Sequence, residues 1–108
     1  MNDKMYKEVA EYWGDKMPMM AMEEMAELIK AISKLERNLS VGVIQVGEQE
    51  SDLMNTIEEL NDKQKSAWLN VVEEIGDVFI SCKAIMCRYG ITQELVDKRI
   101  SDKLNKKY

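Results

Sequence analysis

Histidine is absent from this chain, and proline appears once, at Pro18. The first absence excludes His-ligated zinc centres, Ser-His-Asp triads and Cys-His dyads outright. The second, with only five glycines among 108 residues, leaves few breaks in the chain. The abundance of Glu, Lys, Leu, Met and Ala then favours helices over strands. Cysteine occurs twice. Cys82 and Cys87 fall on one predicted helix and point in different directions, so they read as small reduced core residues rather than a disulfide. No apolar run is long enough to span a membrane. Nothing at the N-terminus resembles a signal peptide, because charged residues interrupt every apolar run, and cytoplasm is the expected location. A basic excess is missing too: 15 Lys and Arg against 20 Asp and Glu give a net charge of −5. That balance argues against a nucleic-acid surface. The expected partners therefore include neither nucleic acid nor membrane.

What is present suffices for one domain, 1–108, with 45% hydrophobic residues to build a core. The expected fold class is all-α. Residues 2–13 place Tyr6, Val9, Ala10 and Trp13 at helical spacing. Gly14-Asp15-Lys16 breaks that pattern, and Pro18 suits the first turn of a second helix running to about Asn38. Residues 39–50, "LSVGVIQVGEQE", carry two Gly and β-branched residues without a helical period, and read as a loop or short extended excursion. Ser51 then caps a brief helix with Leu53, Ile57 and Leu60. A third main helix is expected from about Asp62 to Tyr89, stopped by Gly90. Thr92 caps the last, with Ile91 and Val96 placed as a staple.

The second helix has an oddity. At about 100° per residue, Ala21, Met25, Leu28, Ile29, Ile32 and Leu35 fall on one apolar arc. Glu24 lands inside that arc and Glu27 at its edge. A buried, unpaired carboxylate costs several kcal/mol unless something neutralises it. The third helix repeats the pattern: its apolar residues occupy most of the circumference, and Asn70, Glu73, Glu74, Asp77 and Ser81 are confined to one stripe. Such a helix should be largely buried, with its acidic stripe facing a polar pocket or water. Three-residue spacing puts Glu24 with Glu27, and Glu74 with Asp77, on shared faces. If the two helices are antiparallel neighbours, four carboxylates converge. An all-oxygen set without His points to Mg²⁺, with Mn²⁺ as the alternative.

EExxE followed by ExxD resembles the signature of the MazG-like all-α nucleoside triphosphate pyrophosphohydrolases. The flanking segments "YWGDKM", "EEMAELIKAISK", "VVEEIGDVFI" and "YGITQELVDKRISDKL" resemble that family's successive helices. The resemblance covers most of the chain apart from an insert at about 38–61. It implies a four-helix-bundle-like protomer, assembled into a homodimer or homotetramer. It further implies Mg²⁺-dependent hydrolysis of an NTP or dNTP to the monophosphate and pyrophosphate. By position, Glu24, Glu27, Glu74 and Asp77 would be the metal ligands. Lys98 would reach substrate phosphates and stabilise charge as pyrophosphate leaves.

Glu27 is the preferred general base, and Trp13 a candidate for stacking on the nucleobase; a core or interface role competes for Trp13 and for Trp68. Lys30 and Lys34 read as a solvated face. Two other readings are open. One is a non-catalytic helical interaction or regulatory module, left open by the insert and by Asp102, where the family often has Asn, while intact Glu24, Glu27, Glu74 and Asp77 count against it. The other is a carboxylate-bridged di-iron bundle, disfavoured because that class uses Glu-x-x-His pairs.

Overall fold

The computed structural model describes residues 3–39 and 60–107, and among these the chain is all-helical with no strand. The helices are α1 (Asp3–Trp13), α2 (Met17–Asn38), α3 (Asp62–Tyr89) and α4 (Gln93–Lys107), with a 3-10 turn at Gly14–Lys16. Among the described residues, no helix is long and apolar enough to cross a membrane. The expected loop at 39–50 and the brief helix begun by Ser51 lie outside the described residues, save Leu39 and Leu60 at their margins.

The breaks follow from local chemistry. Gly14 adopts φ +55°, a left-handed conformation that costs a side-chain-bearing residue dearly. Its carbonyl accepts from the Met17 N–H and from Arg88 Nη1, the latter at 2.9 Å, and Arg88 Nη2 lies 3.8 Å from Asp15 Oδ1. The α3 start is a reciprocal cap. The Gln64 N–H donates to Asn61 Oδ1 at 2.8 Å, and the Asn61 N–H donates to Gln64 Oε1 at 3.0 Å. At the other end Gly90 turns at φ +66° and the Ile91 N–H donates to the Met86 carbonyl at 2.9 Å, closing the last turn as a Schellman motif. Thr92 Oγ1 accepts from the Leu95 N–H at 3.3 Å, so Thr92 caps α4 as expected.

The chain groups into two compact units, Met1–Glu23 with Val78–Tyr108 and Glu24–Asp77. In the first, Lys83 Nζ lies over the Tyr6 ring, and Met17, Ala21 and Ala84 are buried. Ser81 is buried with them, its Oγ lacking any hydrogen-bond partner. In the second unit α2 and α3 run antiparallel. The Gln64 side chain donates to the Asn38 carbonyl at 2.8 Å at one end, while Glu24 meets Glu74 and Asp77 at the other. Ala31 and Ala67, both buried, stand between these ends, where small side chains let two helices approach closely.

Burial reverses one expectation. Large apolar side chains face outward: Leu69 is 53% exposed, Phe79 69% and Ile29 69%, and Ile32, Val72 and Ile75 are exposed as well. The fully buried residues of α3 are all small, Ala67, Ser81 and Ala84, while Asn70 and Glu74 are half-buried, as are Trp68, Val71, Val78 and Ile80. Cys82 and Cys87 are free as expected but exposed, so the core role read for them is corrected. Along α4, residues 93–106 are all exposed except the half-buried Val96.

Candidate metal centre

Glu24 stands on the buried side of α2, between the half-buried Leu28 and Leu35 and the buried Ala31. Glu74 occupies the corresponding place on α3. The antiparallel pairing of the two helices brings them together, with Asp77 one turn further along α3. One carboxylate oxygen from each of Glu24, Glu74 and Asp77 lies within 4.8 Å of the other two. Asp77 is exposed and the two glutamates are half-buried, so the cluster opens to solvent on the Asp77 side.

Glu74 bears the strain of this arrangement. Its Oε2 is enclosed and has no hydrogen-bond partner. Burial first, then the charges of Asp77, Glu24, Glu27 and Glu73, push the Glu74 carboxyl above its ordinary range. A buried acceptor without a donor is expensive for a folded chain. Among the described residues no Lys, Arg or backbone N–H supplies that donor. The donor set is three carboxylates with one orphaned, enclosed oxygen aimed into the group, which is a fit for a hard divalent cation with oxygen ligands. Zinc, with its taste for N and S donors, fits poorly.

Three of the four expected ligands therefore come together. Glu27 does not join them at that spacing: it is exposed, and its Oε1 lies 3.5 Å from Lys30 Nζ. It is near enough for its charge to act on Glu74. Lys98 and Trp13 belong to the other compact unit. Lys98 Nζ donates to Asp102 Oδ2 at 2.8 Å along α4. Trp13, half-buried, lines an apolar cavity of about 580 Å³ with Tyr6, Val9, Tyr12 and Ile80. Comparison of the chain with protein-family models, with curated proteins and with solved structures finds no match.

One set of residues escaped the sequence reading. Lys34, read as part of a solvated face, lines a polar cavity with Lys65, Ser66 and Asn70. The signal that could have found it is the Asn61-x-x-Gln64 cap. It fixes the start of α3, and with an antiparallel partner it puts Lys65 and Ser66 opposite the last turns of α2.

Proposed function

We propose that the chain is a Mg²⁺-dependent nucleoside triphosphate pyrophosphohydrolase of the MazG-like kind, acting on an NTP or dNTP. The observation that carries this reading is the enclosed, unpartnered Glu74 Oε2 inside a group of three convergent carboxylates. The order of its motifs, with EExxE on α2 and ExxD on α3, supports the family assignment.

In this reading Glu24, Glu74 and Asp77 hold Mg²⁺, or Mn²⁺, with Glu27 as a further ligand or second-row charge. When bound, the cation supplies neutralisation of phosphate oxygens and a more acidic water, which reconciles an acidic protein with a polyanionic substrate. Hydrolysis adds one water across the α–β anhydride, whose bridging bond breaks to give the monophosphate and pyrophosphate. Glu27, exposed at the edge of the cluster, accepts the proton of that water. Lys98 stabilises the departing charge when it exchanges Asp102 for phosphate. Trp13 is the candidate wall for the base.

The same proposal includes assembly into a homodimer or homotetramer of four-helix-bundle-like protomers. Exposed Leu69, Val72, Ile75 and Phe79 on α3 support it, as does α4, a helix of 15 residues with almost nothing buried along it. Isolated helices of that length are marginal in water.

Isosteric substitution tests the site. Glu24→Gln and Asp77→Asn should each abolish Mg²⁺-dependent pyrophosphate release while circular dichroism retains the helical spectrum. Full activity in both variants would remove the carboxylates from the mechanism.

A further inference from the structure

Within the Glu24–Asp77 unit, the last turns of α2 and the first turns of α3 line an open cavity of about 570 Å³. Six polar side chains line it: Lys34, Asp62, Lys65, Ser66, Asn70 and Glu73. None of these side chains has a hydrogen bond or ion pair among the described residues, although the surrounding caps are closed by Asn61, Gln64 and Asn38. Those caps are closed without using any of the lining side chains. A volume of this size is in the range that takes small ligands.

Charge decides what kind. Lys34 and Lys65 come from different helices and line one space with Asp62 and Glu73, and neither lysine forms an ion pair among the described residues. Lys65 stands in the first turns of α3, where the helix dipole disfavours a cation and favours an anion. Asp62, in the first turn itself, is where a carboxylate gains from that dipole, and Glu73 stands at the opposite end of the lining, beside Glu74. Along α3 the order Asp62, Lys65, Ser66, Asn70, Glu73 puts the acids at the two ends of the lining, with Lys65, Ser66 and Asn70 between them and Lys34 contributed by α2. Two cations with two neutral donors suit a dianionic or trianionic group with many acceptor oxygens. Asn70 lies one turn of α3 before Glu74, so a group held here would extend toward the carboxylate cluster.

We propose that this cavity binds the pyrophosphate end of a phosphoanhydride, with Lys34 and Lys65 as paired cations and Ser66 and Asn70 as neutral donors. Assigning that anion to the tail of a nucleoside triphosphate rests on the hydrolase reading above; binding of the inorganic anion does not. The site holds the leaving group on the far side of the cluster from Asp77, and it orients the anhydride rather than acting on it.

Titrating the full chain with inorganic pyrophosphate in EDTA at low salt, by calorimetry and by amide chemical shifts, separates the two claims. The wild-type chain should bind, with shifts at Ser66 and Asn70. Lys34→Gln and Lys65→Gln should each weaken binding about tenfold, the loss expected for one charge-assisted hydrogen bond. Neither lysine side chain has a partner among the described residues, so both variants should melt like the wild type. Lys103→Gln, on α4, should bind unchanged. Orthophosphate, with fewer acceptor oxygens and less charge, should bind more weakly than pyrophosphate, and a non-hydrolysable triphosphate nucleotide should compete with pyrophosphate. Independent binding of the two would overturn the tail assignment. Pyrophosphate affinity equal in wild type and the Lys34→Gln/Lys65→Gln double variant would overturn the site, even if Mg²⁺-dependent hydrolysis is intact. Lysine-dependent pyrophosphate binding in a chain that hydrolyses no nucleotide would support the site and overturn the hydrolase.

Discussion

Replacing Gly14 with alanine tests how the chain passes from α1 into the helix that carries Glu24. Gly14 sits at φ +55°, and an alanine Cβ built there would meet no heavy atom within 4 Å. Steric collision therefore contributes nothing, and the whole penalty is conformational. Holding an L-residue in the left-handed region costs about 1–2 kcal/mol. Alanine also restricts the unfolded chain, which returns roughly 0.4–1 kcal/mol. The balance is a net destabilisation of roughly 1 kcal/mol, which for a domain of this size lowers Tm by about 4–8 °C. Arg88 reinforces the turn by donating to the Gly14 carbonyl at 2.9 Å beside Asp15. Arg88→Gln should cost less than 1 kcal/mol alone, since its pairing with Asp15 is at the surface. Because the two residues share one turn, the combination should deviate from additivity. Thermal melts followed by circular dichroism, at matched protein concentration, read all three. A Tm for Gly14→Ala equal to or above that of the wild type would refute the left-handed assignment.

Other expectations follow from the same geometry. Glu74 has a raised pKa, so its folded form holds its proton to higher pH than its unfolded form; metal-free stability from this group is full below its ordinary value of 4.5 and is lost as pH rises through the folded value. Denaturation in EDTA across that window should show the decline, and Glu74→Gln should flatten it; a wild-type curve rising with pH and unaltered by the substitution would contradict the crowded cluster. Mg²⁺ should reverse the trend, because cation and proton compete for the same oxygens. Phe79→Asp and Ile100→Asp, at exposed apolar positions, should shift light-scattering mass to that of one chain, whereas a monomeric wild type at micromolar concentration would exclude the proposed assembly.

Much of this architecture is written locally. The bounds of α3 follow from Asp62 and Gly90 because a cap and a left-handed stop are signals of a few adjacent residues, and Thr92 caps α4 for the same reason. Glu24 is legible because a carboxylate on the apolar side of a helix conflicts with its surroundings, and Glu74 and Asp77 because acids confined to one stripe of a largely apolar helix repeat its spacing. Glu27 is harder: it lies on a flank of α2, and its distance from the cluster depends on the helix rotation and on Lys30, which takes up its carboxylate. Which apolar arc is covered within one chain was not legible at all. Helix α2 carries a broad apolar arc and α3 apolar residues around most of its circumference, and periodicity cannot say which part of either meets the partner helix. The chain turns Ala31, Ala67 and Ser81 inward and leaves Ile29, Leu69 and Phe79 outside. The exposure of Cys82 and Cys87 comes from the same choice. Lys34 and Lys65 also needed three dimensions, since residues so far apart in sequence share a cavity only after the helices pair.

The central claim is that the carboxylate cluster serves cleavage between the α- and β-phosphates of a nucleoside triphosphate. Phosphorus NMR of the products, after the wild-type chain is incubated with Mg²⁺ and a panel of NTPs and dNTPs, tests it most directly. Equimolar monophosphate and pyrophosphate, formed only with the cation and from at least one nucleotide, is the predicted result. Diphosphate with orthophosphate, or no turnover across the whole panel with Mg²⁺ or Mn²⁺, would contradict it.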